Sequence, residues 1–79
     1  MPQITVYSKP ACVQCKATKK KLQELNYDFS VVDISQDDQA RQRVMEAGFV
    51  SAPVVEVDGE MKFAGYRPDQ LSLIGSMAA

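Results

Sequence analysis

Two cysteines, Cys12 and Cys15, lie three residues apart in Ala11-Cys12-Val13-Gln14-Cys15, a spacing that suits reversible disulfide chemistry. On a helix, residues three apart have Cα atoms about 5 Å from each other. That falls inside the roughly 4.4–6.8 Å window of a disulfide, so such a pair closes without moving the backbone. The run follows a short β-rich stretch and opens a helical one, which puts Cys12 at or just before the first helical residue. Unpaired N–H groups and the positive end of the helix dipole stabilise a thiolate there, pulling it below the free thiol pKa of about 8.5. Lys9 and Lys16 add positive charge nearby. Cys15, one turn in and on the apolar stripe, is expected to be buried and to stay a thiol until it is needed. Cys12 is therefore the expected nucleophile and Cys15 the resolving thiol.

Two other readings of the pair remain. A purely structural disulfide is disfavoured because so short a loop hardly restricts the unfolded chain. A second subunit could also complete a four-thiolate site for zinc or an iron–sulfur cluster, since two cysteines alone cannot. The strand-to-helix position favours a redox pair over both. What the sequence lacks narrows the choice further. With no His there is no Cys-His or Ser-His catalysis and no imidazole metal ligand. Nine basic and ten acidic residues leave a net charge of −1, which argues against nucleic acid or an anionic membrane as the main partner. No apolar run approaches the roughly 18 residues of a membrane span. The start, Met1-Pro2-Gln3-Ile4, has none of the marks of a signal peptide. A reducing cytoplasmic setting is the expectation, and there cysteines more often do chemistry than staple a fold.

The elements that must position the pair are legible in order. At 79 residues the chain is read as one domain spanning 1–79. Gln3 to Tyr7 is a β-rich run stopped by Ser8-Lys9-Pro10. From about Val13 to Leu25, Cys15, Thr18, Leu22 and Leu25 recur on one helical face, and Asn26 is a plausible stop. Lys19-Lys20-Lys21 reads as a solvated face that could also steer an acidic partner. Tyr27 to Ile34 alternates, with Tyr27, Phe29 and Val31 on one side and Val32 and Ile34 on the other. A second helix begins near Ser35 to Asp38, carries a stripe of Ala40, Val44 and Ala47, and stops at Gly48. Val54 to Val57, Asp58-Gly59 and Met61 to Ala64 read as a hairpin. Pro68 opens a last helix with Leu71, Ile74 and Met77 inward and a frayed tail from 75 to 79. The order β-α-β-α-β-β-α implies an α/β fold, a four-stranded mixed sheet flanked by three helices in the thioredoxin-like arrangement.

Two further stretches stand out. Ser51-Ala52-Pro53-Val54 places a proline at the head of a strand, and Gly65-Tyr66-Arg67-Pro68-Asp69 has the makings of a helix start. Together with Lys9-Pro10-Ala11-Cys12-Val13-Gln14-Cys15, Ala17-Thr18-Lys19 and Val32-Asp33-Ile34-Ser35, they make the whole chain resemble the NrdH-redoxins. These are small glutaredoxin-like electron donors to class Ib ribonucleotide reductase. The family's W-S-G-F-R-P-D is here Phe63-Ala64-Gly65-Tyr66-Arg67-Pro68-Asp69, which keeps both aromatic positions but loses an indole N–H and a hydroxyl.

The resemblance implies a cis peptide bond before Pro53 and a position for Pro53 against the cysteine pair. It makes Ala52 the residue whose backbone pairs with a bound partner. Lys9, Ala11, Val13, Gln14, Gly65, Tyr66 and Arg67 become further candidates for partner contact. It implies the large subunit of class Ib ribonucleotide reductase as substrate and thioredoxin reductase as the source of electrons. NADPH then acts only through that reductase, and the chain is expected to bind no cofactor and to be a monomer. A glutathione-dependent glutaredoxin is the alternative. Val13-Gln14 replaces the usual Pro-Tyr, however, and Pro68 brings no N–H to the loop that would hold glutathione carboxylates.

Overall fold

Residues 2–77 are described in the computed structural model of the chain. The elements run β1 (Ile4–Ser8), α1 (Val13–Glu24), β2 (Phe29–Asp33), α2 (Asp38–Glu46), β3 (Val54–Val57), β4 (Glu60–Ala64), α3 (Pro68–Leu71) and α4 (Ile74–Met77). The strands form one mixed sheet in the order β2-β1-β3-β4. β1 is parallel to β2 and antiparallel to β3, and β3 is antiparallel to β4, so β2 and β4 are the edges.

Strand alternation divides the sheet's side chains between two cores. Ile4, Val6, Val55, Val57 and Phe63 pack against Leu22 of α1, Leu71 of α3 and Ile74 of α4. On the other face Tyr7 and Val54 pack with Ala40 and Val44 of α2. One irregularity makes both faces work. The β3–β4 register passes from Val55↔Phe63 to Glu56↔Met61, which leaves Lys62 as an extra residue in β4. Without that bulge, Met61 and Phe63 would point to the same face. With it, Phe63 joins the α1 side and Met61 the α2 side.

The chain stops each helix by local chemistry. Asn26 adopts φ 63°, and the Tyr27 N–H donates to Leu22 O at 3.0 Å, closing α1 with a left-handed residue. The Asp37 carboxylate caps α2 by accepting from Ala40 N at 3.0 Å. Asp58 (φ 52°) and Gly59 (φ 84°) both take the left-handed region, as a two-residue hairpin turn of this kind requires.

The two sides of the second strand are as expected, with Tyr27 and Phe29 on the α1 side and Val32 and Ile34 on the α2 side. Three expectations need correcting. Ala47 is exposed: α2 ends at Glu46, and the turn at Gly48 brings Phe49 onto the core in its place. The last helix is two single turns. Ser72 Oγ donates back to Pro68 O at 2.9 Å, and Leu73 N and Ser76 N bond to carbonyls three residues earlier. Such bonds tighten and interrupt a helix. Gly75–Met77 is therefore helical rather than frayed, while the side chain of Met77 and residues 78–79 lie outside the described residues.

On the α2 face, Glu56 is buried within a strand of valines. Its Oε2 accepts from Arg43 Nη2 at 2.9 Å and from the Tyr7 hydroxyl at 3.1 Å. The guanidinium also lies 6.0 Å from the centre of the Tyr7 ring. Burial, then the charge of Glu56 and the hydrogen bond to it, push the Tyr7 phenol above its usual 10.0, against an opposing pull from Arg43. A phenol whose pKa is raised by folding contributes stability that is complete below its unfolded pKa and is lost as pH rises through its folded one. Urea unfolding should therefore show stability falling as pH climbs above about 10, with that loss diminished in Tyr7→Phe. At neutral pH, Tyr7→Phe should cost about 1 kcal/mol and Arg43→Met about 1–3 kcal/mol, since the second leaves a buried acid short of its charged donor.

Candidate active site

α1 begins at the cysteine pair because Cys12 is its N-cap. Cys12 has extended φ and ψ (−107°, 107°), and its Sγ accepts the N–H of Cys15 at 3.1 Å. A cysteine here performs the role usual for Ser, Thr, Asp or Asn. Ala11, immediately before it, is held at φ 56°, a conformation that costs a residue with a Cβ roughly 1–2 kcal/mol. The first turn of α1 contains no acidic residue, so no carboxylate of that turn offsets the positive helix end beside the sulfur.

Cys12 and Cys15 are joined as a disulfide with Cα atoms 5.2 Å apart, inside the unstrained range that helix geometry predicted. Their environments differ. Cys15 is 1% exposed and lies with Thr18 and Leu22 on the buried face of α1, while Cys12 is half-buried at the surface. This asymmetry makes one sulfur reachable by another molecule and the other reachable only from within the chain.

The remaining site candidates fall into two sets. In the first, the Ala52–Pro53 bond is cis and Pro53 is fully buried. The carbonyl of Pro53 accepts from Gly65 N at 2.7 Å. Gly65 has φ 85°, which only glycine adopts freely. The next N–H, of Tyr66, donates to Gln14 Oε1 at 3.2 Å. Pro53, Gly65, Tyr66 and Gln14 are thus linked by hydrogen bonds, although they come from three separate stretches of chain. Arg67 follows in the same loop, its Nε donating to Ala64 O at 3.1 Å.

In the second set, Lys9 and Ala52 line an apolar hollow of about 220 Å³ together with Val44, Met45, Phe49 and Val50. Sequence reasoning picked out Lys9 and Ala52 but missed the hollow. Its signal was Phe49-Val50, two apolar residues placed between a helix stop and Pro53, of which Val50 is 96% exposed. Val13, next to Cys12 in the chain, is 80% exposed and Tyr66 40%, so both present apolar side chains to solvent. Ala11 is exposed as well. No helix among the described residues is long and apolar enough to cross a membrane.

Comparison with known proteins agrees with this geometry. The sequence model of the glutaredoxin family matches residues 4–62. The glutaredoxin-like protein NrdH of Lactococcus lactis subsp. cremoris is 41% identical over 69 residues, covering 87% of this chain and 94% of its own. Its Escherichia coli K12 counterpart is 33% identical over 70 residues, covering 89% and 85%. The solved structure of the Escherichia coli NrdH-redoxin, described for its thioredoxin-like activity profile, matches with a TM-score of 0.82 at 33% identity. That match spans 89% of this chain and 91% of the other.

Accessibility leads to a direct expectation. Brief treatment of the reduced protein with iodoacetamide should label Cys12 well before Cys15, as read by peptide mass spectrometry. Prior labelling of Cys15 would reverse the assignment.

Proposed function

Since the chain belongs to the glutaredoxin family, within its NrdH-like group, and is a thiol–disulfide oxidoreductase, we propose that it is the dithiol electron donor of a class Ib ribonucleotide reductase. On this reading the large subunit of that enzyme is the substrate, and thioredoxin reductase returns the electrons in the cytoplasm. The redoxin acts as a monomer with no cofactor of its own, and NADPH is consumed at the reductase.

The Cys12 thiolate attacks one sulfur of the substrate disulfide, forming a mixed disulfide and releasing the other substrate sulfur as a thiolate that takes up a proton. Cys15 loses its proton and attacks Cys12 Sγ. The Cys12–Cys15 disulfide forms as the mixed disulfide breaks, so two electrons pass to the substrate as two thiols. The Cys15 N–H that donates to Cys12 Sγ in the disulfide is placed to stabilise the same sulfur as a thiolate. Lys9 and Lys16, both exposed nearby, add to that field.

The observation that carries the choice of reductant is the state of the loop after β4. Glutathione would need donors for its carboxylates, yet Gly65 N is engaged by Pro53 O and Tyr66 N by Gln14 Oε1. Pro68 has no N–H, and Arg67, whose Nε alone is engaged by Ala64 O, is the one donor left for a carboxylate. A carboxylate on the backbone of Gly65 and Tyr66 displaces existing bonds rather than finding open ones, so glutathione binding is weakened. Exposed apolar side chains at Val13 and Tyr66, on the two segments that the Gln14 bond joins, suit a protein surface instead.

A coupled NADPH assay tests the reading. Thioredoxin reductase should reduce the protein faster than millimolar glutathione with its reductase, and a reversed order would overturn the assignment. The potential should lie nearer the thioredoxin value of about −270 mV than the roughly −200 to −230 mV of glutaredoxins. Cys15→Ser should trap a mixed disulfide with the ribonucleotide reductase large subunit, whereas Cys12→Ser should trap none.

A further inference from the structure

Gln14 stands between the two cysteines, exposed on the first turn of α1. A long polar side chain in such a place is ordinarily free, and fixing it costs up to about 2 kcal/mol of rotamer entropy. Here it is fixed. Its Oε1 accepts from Tyr66 N, 52 residues away. The backbone beneath it is held too, because Gln14 O accepts from the hydroxyl of fully buried Thr18 at 2.9 Å. The two segments lie in contact there: a Cβ on Gly65 would meet Gln14 Oε1 at 3.4 Å, an ordinary van der Waals approach. Among the described residues, this is the one side-chain hydrogen bond between the cysteine motif and the loop after β4. The neighbouring tie, Gly65 N to Pro53 O, is backbone to backbone.

We propose that Gln14 is a positioning residue for protein recognition. By taking the Tyr66 N–H it pins the loop against the cysteine turn of α1 and fixes the backbone that carries the exposed Tyr66 ring, which a docking polypeptide then meets in one place. Without the acceptor, the Tyr66 amide turns to water and the ring loses its fixed place, so a partner must order the loop on binding. A small disulfide that touches only the sulfurs gains little from that order, and a protein disulfide gains more. Gln14 therefore sets a preference for protein over small disulfides. The inference rests on the thiol–disulfide activity alone and holds whichever protein is the natural partner.

The test uses dithiothreitol as reductant and compares labelled insulin with hydroxyethyl disulfide, so it is independent of any reductase. Gln14→Met keeps length and flexibility but removes the acceptor, and Gln14→Glu restores an acceptor. In Gln14→Met the KM for insulin should rise about threefold to tenfold, the effect of one neutral hydrogen bond, with kcat within twofold. The ratio of insulin to hydroxyethyl disulfide efficiency should fall accordingly. Gln14→Glu should bring KM back toward the parent value, while its added charge beside Cys12 acts on kcat. Amide exchange gives the second readout: the Tyr66 N–H should exchange faster in Gln14→Met and be protected again in Gln14→Glu. An unchanged KM in Gln14→Met, a loss equal for both disulfides, or no rescue by Gln14→Glu would overturn the proposal.

Discussion

The amide of Cys15 donates to the sulfur of Cys12 across a single turn, and through this bond the chemistry and the start of α1 become one arrangement. A helix needs its first amides satisfied, and here the acceptor is the reacting atom. The bond requires Cys12 to leave β1 extended and enter the helix, which is what the left-handed Ala11 allows. It also requires α1 to be anchored, as it is by Thr18 and Leu22 in the core between the helix and the sheet. Donor and acceptor share one turn and travel with α1, so the packing of Thr18 and Leu22 fixes where on the molecule the exposed cysteine is presented.

Around that turn the surface is assembled from segments that meet only in the folded chain. The hairpin turn at Asp58-Gly59 brings β4 back along β3, which returns Gly65 to Pro53. The Lys62 bulge lets β4 serve both cores on the way, with Phe63 on one face and Ala64 on the other. The two cores also differ in kind. The α1 side is built on an apolar cluster, whereas the α2 side carries buried Tyr7 and Glu56, which Arg43 reaches from the surface. Buried polar groups of this kind demand particular partners, and so they favour one alignment of α2 over others.

Much of this was legible from residue type and spacing. Asn26, Gly48 and Asp58-Gly59 marked turns through their tolerance of positive φ, and the structure places each of them there. The cysteine pair was legible because helix rise alone sets its separation. The cis bond at Pro53 was not visible in spacing and came only from family resemblance. Other features depend on contacts distant in sequence. Glu56 looks out of place among valines until Tyr7 and Arg43 reach it, and a one-residue bulge leaves no local mark in Met61-Lys62-Phe63-Ala64. Ala47 fitted the helical stripe well, but the stripe is interrupted by a turn whose exit delivers Phe49. The break after Leu71 depends on a serine hydroxyl bonding backwards, a choice that periodicity does not register.

The outer side of β2 carries a consequence of its own. An edge strand presents unpaired backbone groups, and a second copy of the same chain is the commonest thing to find them. β2 is only five residues long and is bracketed by Asp28 before it and Asp33 at its end. Two copies laid antiparallel along this edge bring the acid at each end of one strand toward the acid of the other. The repulsion falls at both ends of the same short ladder, where only a few new backbone bonds could offset it. Asp33 is further occupied, since its Oδ1 accepts from both the amide and the hydroxyl of Ser35. A sheet that leaves one parallel strand uncovered thereby carries, in two ordinary aspartates, its own resistance to growing by addition of like strands.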